Sequence, residues 1–530
     1  MTEQLNLAEI IDSAQKVRRN TLGDLLQRTS ERFPKKNALV YKNQRITYEE
    51  LNALVNRTAQ GLLASSLTKG DFVTVISRNS LDFVVLNFAL ARTGAVMVPI
   101  NYMLTEEEIV YILEHAKIRA VFSSEEFQPI MDQALAHHQV DYKFVMGDCS
   151  QEVSDGWTHI HDLQKNQPFS APDVQLDDDD VVHVLYTSGT ESRPKGVMLS
   201  HKSLISEYVS SIIDGKMSDE DIVIHALPLY HSAQLHVFLG PSIYLGSRGI
   251  ILEQPSPEKI LQIIEEERAT LLFCPPTVWI ALLRHPDFDK RDLSSLKKCY
   301  YGAAIMPMEI LKELKERLPG ASLWNFYGQT EVAPLATALQ PEDQLRKLGS
   351  AGLPSLNVQT KIVNDQDEEV PRGELGEIVH RTPHAMKGYL HDAEKTAEAF
   401  RSGWFHSGDL GIMDDEGYIT IVDRKKDMIN TGGVNVSSRE VEEVIYEMEA
   451  VSEVAVISIP DSYWIEAVTA IIVTKESHLV TEQEVIDFCK TRLSSFKTPK
   501  HVYFAEELPK NPSGKVLKRS LRTDYTEREK

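Results

Sequence analysis

Cysteine is scarce: Cys149, Cys274, Cys299 and Cys489 are the only four in 530 residues, and no two stand in a CxxC spacing. The simplest account is a reduced, cytoplasmic protein whose thiols are structural. Long apolar runs are missing as well. No window approaches the ~18 uninterrupted apolar residues of a membrane-spanning helix. Leu5 to Ile11 is too short and too interrupted by charge for a secretory core, and Lys16-Val17-Arg18-Arg19 follows it rather than preceding it. Basic charge is in deficit, with a formal net charge of −22 and a pI near 5.3. That argues against a general nucleic-acid binder and against a polybasic membrane anchor. An acidic chain still binds a triphosphate if it gathers cations locally. No GxGxxG occurs, so a nicotinamide or flavin dinucleotide site is rejected.

What is present is an ordinary globular composition, 42% hydrophobic and 25% charged, on a chain long enough for at least two domains. The first sixty residues read as helical, with Thr47-Tyr-Glu-Glu50 as a capping box. Strands and helices then alternate: Phe72 to Ile76, Leu81 to Ala91, Ala95 to Ile100, a capped helix Thr105 to His115, and Ala120 to Phe122. Such alternation predicts α/β architecture with parallel sheets and helices on both faces. Asp177-Asp-Asp-Asp180 reads as a solvated turn, since four adjacent carboxylates do not all face one ion. The alternation resumes through a helix opened by Ser256 as N-cap and a strand from Cys299 to Gly302. From about 355 shorter β segments with glycine turns indicate a small β subdomain. Asp423-Arg-Lys-Lys-Asp427 is a charged break, and beyond it the pattern is an α+β unit of about a hundred residues. The expected domains are 1–423 and 424–530.

Four segments carry chemistry. Tyr186 to Gly196 packs Thr187, Ser188, Gly189, Thr190, Ser192, Lys195 and Gly196 directly after an apolar run, which is how a backbone presents donors to a polyanion. It is not a Walker loop, because Lys195 precedes Gly196 and no Lys-Ser or Lys-Thr pair opens a helix. A solvated loop is the competing reading. Tyr327-Gly-Gln-Thr-Glu331 offers a ring to stack on a base, a threonine for a phosphate and a carboxylate for a hard cation; an ordinary turn is the alternative. His406-Ser-Gly-Asp-Leu410 places Asp409 to receive ribose hydroxyls. Leu508-Pro-Lys-Asn-Pro-Ser-Gly-Lys515 exposes a lysine on a Gly/Pro/Ser loop, which by base rate is a solvated tail lysine.

Together and in this order these segments resemble the adenylate-forming superfamily of acyl-CoA synthetases, amino-acid adenylation domains and luciferases. The likeness runs from Thr47 to Lys515 and includes Leu227-Pro-Leu-Tyr-His231, Tyr301-Gly-Ala-Ala304, Gly349-Ser-Ala-Gly-Leu-Pro354 and Arg424-Lys-Lys-Asp-Met-Ile429. The resemblance implies an acid–thiol ligase that makes an acyl-adenylate from ATP, with Mg²⁺, and passes the acyl group to coenzyme A. It implies that Thr187, Ser188, Gly189, Thr190 and Lys195 hold the outer phosphates. Gly302, Ala303, Ala304 and Tyr327 would frame adenine, Thr330 would touch the α-phosphate and Glu331 would bind the metal. Asp409 and Arg424 would hold the ribose, His231 would lie beside the acyl carboxylate, and Lys515 would bridge carboxylate and α-phosphate. A mobile C-terminal domain would turn about Lys426 and bring Gly432 and Gly433 beside the pantetheine.

Two departures stand out. Glu191-Ser192 replaces the usual Thr-Gly, an adverse carboxylate beside a triphosphate, and Tyr301 replaces a glycine before the adenine site. Leu227 to Phe238 has no carboxylate to pair an amino-acid ammonium, so amino acids are discounted. His236 is read as packing against its helix. Leu235, Phe238, Val278, Trp279, Tyr301 and Ala333 are apolar candidates for the acyl wall and point to a medium- to long-chain fatty acid, with an aryl acid the alternative. Acyl transfer to a separate carrier protein, a homodimer, and a nucleotide-binding protein without catalysis remain open.

Overall fold

The anticipated helix caps form by reciprocal hydrogen bonding in the computed structural model. It describes residues 7–147, 153–187, 193–302, 306–425, 427–431, 434–461, 463–475, 480–510 and 516–528. The Thr47 amide donates to the Glu50 carboxylate at 2.7 Å while Thr47 Oγ1 accepts from the Glu50 amide, and Thr105 with Glu108 repeats the arrangement. Each box satisfies two helix-end donors. At Ser256 the position is as expected, but the side chain makes no capping bond; Pro257 in the first turn removes one donor that would need it.

Two large sheets dominate. Among the described residues the eight-stranded sheet runs Gly388–Tyr389, Lys195–Ser200, Val181–Thr187, Val96–Pro99, Phe72–Ile76, Ala120–Ser124, Tyr142–Met146 and Thr158–His159. Its strands from Val181–Thr187 onward pair in parallel. The nine-stranded sheet has Ile222–His225, Leu271–Phe273, Lys298–Gly302 and Ser322–Gly328 as successive parallel neighbours. Helix Leu81–Thr93 is buried nearly all round, which explains why its sequence shows almost no polar face. A four-stranded antiparallel sheet follows (Gln359–Val363, Leu375–Arg381, Phe405–Met413, Ile419–Arg424), and then the C-terminal sheet around Val451–Asp461 and Ile465–Thr474.

One expectation needs correction. The first sixty residues are not all helical: Asn37–Tyr41 and Gln44–Thr47 form a hairpin turning at Lys42, whose φ is +53°. Asn37–Tyr41 also pairs in parallel with Arg248–Ile251, a partner two hundred residues away that no local window reveals. The charged break at 423 is tied into the helix that follows it. Asp423 is buried, and its carboxylate accepts from the Ser438 amide at 2.7 Å and the Ser438 hydroxyl at 2.8 Å, pinning the start of helix Ser438–Tyr446. The Asp177–Asp180 run behaves as a turn. Asp178 accepts from the Asn20 amide, Asp179 pairs with Lys387 and Asp180 with Lys69, so the carboxylates diverge.

Candidate active site

The Tyr327–Glu331 segment leaves strand Ser322–Gly328 through a position that only glycine fits. A β-carbon on Gly328 would lie 1.7 Å from the Pro334 carbonyl oxygen. The same holds at the end of the neighbouring strand, where a β-carbon on Gly302 would stand 2.4 Å from the Phe326 oxygen. Both glycines allow backbones to close up where the sheet ends.

Beyond Gly328 the side chains converge on Asp409. Tyr327 Oη donates to Asp409 Oδ2 at 2.7 Å, and Gln329 Nε2 donates to the same oxygen at 2.9 Å and to the Ser407 carbonyl at 2.8 Å. Arg424 is the cross-strand partner of Asp409, with Nε 3.2 Å from Oδ1. That contact is an ion pair outside hydrogen-bonding angles, so the buried Oδ1 has no hydrogen-bond partner among the described residues. A buried acceptor in that condition is a ready place for a hydroxyl. Burial, reinforced by the Asp409 charge, pushes the Tyr327 phenol well above its ordinary value, so it remains a donor.

Thr330 and Glu331 face two other elements. Thr330 Oγ1 lies 3.1 Å from Ser232 Oγ, which joins it to the His231 segment. His231 Nδ1 accepts from the Ala233 amide at 3.2 Å. Glu331 Oε1 accepts from Tyr389 Oη at 3.1 Å, and the Tyr389 ring carries Lys195 Nζ 5.0 Å from its centroid. Burial raises the Glu331 carboxyl above its ordinary range, opposed by Tyr389 and by the charges of Arg424 and Lys195. The chain from 386 to 390 holds these parts together: the Met386 amide donates to Glu331 O, that of Lys387 to Met198 O and that of Leu390 to Gly196 O, each at 2.8 Å. Thr187 and Lys195 are register partners across the hairpin that brackets the phosphate-loop residues.

The acyl-wall candidates are packed differently. Leu235 and Phe238 lie on a π-helical stretch, Ala233–Leu239, a widened turn of the kind found at functional sites. Leu235 and Ala333 belong to one hydrophobic cluster, Trp279 and Tyr301 to a second, and Phe238 to a third, with half-buried Val278 against the last two. Phe238 stacks on Phe273 at 4.5 Å between centroids, and Trp279 Nε1 donates to the Tyr300 carbonyl at 3.0 Å. Tyr301 Oη donates to Gln344 Oε1 at 2.6 Å. His236 is fully buried against helix His201–Asp214, 3.1 Å from Tyr208 Oη.

The family model described as AMP-binding enzyme matches residues 26–390, and that of the AMP-binding enzyme C-terminal domain matches 440–515. The chain belongs to the AMP-binding enzyme family. It is therefore an adenylate-forming ligase, as its motifs indicated. A feruloyl-CoA synthase of an Amycolatopsis species is 34% identical, over 96% of this chain and 100% of that one. A long-chain-fatty-acid–CoA ligase of Bacillus subtilis (strain 168) is 33% identical, over 96% and 95%. Among solved structures, the anthranilate CoA ligase AuaEII in complex with anthranoyl-AMP superposes with a TM-score of 0.89 at 26% identity, covering 96% of this chain and 98% of that one.

For the magnesium ion that the resemblance implied, Glu331 offers one carboxylate with one oxygen engaged by Tyr389. Among the described residues no group of three His, Cys, Asp or Glu side chains gathers as a metal cage. Magnesium keeps several waters and borrows phosphate oxygens, needing only one or two carboxylates, so this donor set fits it. The structure brings together Tyr327, Thr330, Glu331, Asp409, Arg424, Lys195 and, through Ser232, the His231 segment. Ser188, Gly189, Thr190, Ala303, Ala304, Lys426, Gly432, Gly433 and Lys515, with Glu191 and Ser192, lie outside the described residues. Three polar partners escaped the sequence reading: Gln329, inside a quoted motif, Ser232, one residue past His231, and Tyr389, in an unremarkable Gly-Tyr pair.

Proposed function

We propose that this protein is an AMP-forming acid–CoA ligase. The convergence of Tyr327, Gln329 and Arg424 on Asp409, next to Thr330 and Glu331, is the observation that carries the reading. Asp409 and Arg424 receive the ribose of ATP, with Oδ1 of Asp409 as the acceptor left over. Tyr327, its hydroxyl tethered, presents its ring to the base beside Gly302, Ala303 and Ala304. Thr187, Ser188, Gly189, Thr190 and Lys195 hold the outer phosphates. A carboxylate oxygen of the acid, positioned by His231 and Lys515, attacks the α-phosphorus; the bond to the bridging oxygen breaks and its electron pair leaves on pyrophosphate. Thr330 and Lys515 meet the charge that grows on the α-phosphate. Glu331 would hold Mg²⁺, which would supply further neutralisation of the phosphates. Residues 1–423 and 424–530 form the two bodies, and turning about Lys426 exchanges Lys515 for Gly432 and Gly433 so that coenzyme A displaces AMP.

The acid is apolar, and a medium- to long-chain fatty acid is the first reading, supported by the hydrophobic candidates and by a relative named for long-chain fatty acids. An aryl acid is the second. It is favoured by the flat, fixed rings that the Tyr301–Gln344 anchor and the Phe238–Phe273 stack bring to the acyl-wall candidates, and by relatives named for feruloyl and anthranilate substrates. Assay of a panel of fatty, benzoic and cinnamic acids, resolving AMP, acyl-adenylate and acyl-CoA by mass spectrometry, tests both. Turnover rising with chain length supports the fatty acid, and faster turnover of the aryl acids replaces it. Adenylate without acyl-CoA points to a carrier protein as acceptor. No pyrophosphate release with any acid overturns the ligase reading.

A further inference from the structure

Past strand Ile222–His225 the chain runs through Leu227, Pro228 and Leu229, which are buried but belong to no helix or strand. Buried backbone groups need partners, and no ladder supplies them here. Pro228 has no amide N–H, and its carbonyl accepts from the His231 amide at 3.1 Å. Two side-chain amides meet three further groups. The Leu227 amide donates to Gln234 Oε1 at 3.2 Å, the Leu229 amide donates to Asn79 Oδ1 at 2.7 Å, and the Leu227 carbonyl accepts from Asn79 Nδ2 at 2.8 Å. The other Asn79 N–H reaches the Leu252 carbonyl at 2.9 Å, next to strand Arg248–Ile251. Asn79 itself is 4% exposed and follows strand Phe72–Ile76 of the eight-stranded sheet. One buried amide therefore joins that sheet to two strand exits of the nine-stranded one. Leucine would fill the place without bonds, and an aspartate carboxylate would lack both donors.

The grip is itself fixed from both sides. Arg78, the residue before Asn79, pairs with Glu126 at 2.9 Å and lies over the Tyr102 ring, 5.1 Å from its centroid. Gln234 Nε2 lies 3.0 Å from His225 Nδ1, and burial lowers the His225 pKa to about 3, so the ring stays neutral and Nδ1 can accept. Two residues beyond Leu229 stands His231, and after it Ser232, whose Oγ is 3.1 Å from Thr330 Oγ1. We propose that Asn79 is a positioning residue for adenylation: by holding Leu227 and Leu229 it sets where His231 meets the acid and how Ser232 abuts Thr330. This deepens the proposed ligase reading and rests on it for the roles of His231 and Thr330. Asn79 acts through the backbone alone, and a shift of about 1 Å in a positioned group costs about a hundredfold in rate.

Pyrophosphate release by the full-length protein, with dodecanoic acid and with cinnamic acid, reads the effect. Asn79→Leu should lower kcat/KM for the acid about a hundredfold, while calorimetry finds the Kd for ATP moved by less than about twofold and the stoichiometry unchanged. Gln234→Met, which removes one bond to the segment, should cost about tenfold. In a His231→Ala, Ser232→Ala protein, Asn79→Leu should cost less than about threefold further, because the groups it places are gone; in an Asp409→Asn protein it should still cost about a hundredfold. An equal cost in all three backgrounds overturns the proposal, since damage to the fold alone would act that way. An Asn79→Leu protein of unchanged kcat/KM overturns it too. Should Asn79→Leu fail to fold, Gln234→Met carries the same comparison. Hydrogen exchange of the peptide 226–235 tests the grip apart from turnover: Asn79→Leu should speed it about tenfold and leave 405–413 unaltered. Unchanged exchange overturns the grip. Faster exchange at 226–235 alone, in a protein that adenylates no acid, would leave the Asn79 grip standing and remove the ligase reading.

Discussion

The nucleotide-site candidates and the acyl-wall candidates are built on opposite principles. Around Asp409, side chains from Ser322–Gly328, Phe405–Met413 and Ile419–Arg424 reach one another through directed polar contacts and leave one buried oxygen without a hydrogen bond among the described residues. Around Phe238, Trp279 and Tyr301 the side chains fill space, interlock with the cores of the sheets and end in saturated hydrogen bonds. The first region is specified by directed polar chemistry, as the proposed nucleotide site requires. The second is specified by volume, and volume is shared among residues from distant parts of the chain.

The comparison predicts that changes in the first region alter the ATP step with little loss of stability, and that changes in the second do the reverse. Lys515→Ala should lower acyl-adenylate formation by about 10³-fold, read by pyrophosphate release, with an unchanged melting curve, since loss of one transition-state donor has costs of that order. Trp279→Ala should destabilise by about 3–5 kcal/mol in chemical denaturation, because it empties a buried indole site and removes one of the two donors to the Tyr300 carbonyl. If it left stability intact and only shifted acid preference, Trp279 would belong to the pocket rather than to the core.

Asp409→Asn, which keeps the shape and removes the charge, should cut kcat/KM for ATP by about 10²-fold while the preference among acids is retained. A parallel change in acid preference would dissolve the distinction between the regions. The smallest effect is expected at Glu207, which serves neither region. It is fully buried in helix His201–Asp214, accepts from Ser211 Oγ at 2.6 Å, and burial raises its pKa well above the carboxylate range. The folded state then holds a proton that the unfolded state releases, so stability falls by about 1.4 kcal/mol per pH unit between the two pKa values and is lost as pH rises through the folded one. Glu207→Gln should remove that slope, and its melting temperature should gain on the wild type as pH rises.

Particular residues show why some features were legible and others not. Phe72–Ile76 read directly as a strand, because its apolar run is short and bounded by turn residues. The hairpin at Lys42 did not, since its stability comes from pairing with Arg248–Ile251 and not from its own turn. Asp423 stood only as part of a charged break; its burial depends on the hydroxyl and amide of Ser438, fifteen residues on, which donate to its carboxylate. Gln329 was quoted without a role, although its position in Tyr327–Glu331 was already marked. Tyr389 had no signal at all.

What the amino-acid sequence determined alone is the α/β class, the acidic character and the presence at Tyr327, Thr330, Glu331 and Asp409 of residue types that would suit a nucleotide. Those follow from local periodicity and from ligand chemistry, both of which are written in single short segments. Only the tertiary structure decided that Asp409 is the meeting point of Tyr327, Gln329 and Arg424. It alone decided too that Tyr301 is tethered to Gln344, and that Lys195, Arg193 and Lys395 line one cavity behind Tyr389. These are relations between side chains far apart in the chain. Distance and direction between such groups arise from sheet pairing and close packing, which no single segment encodes.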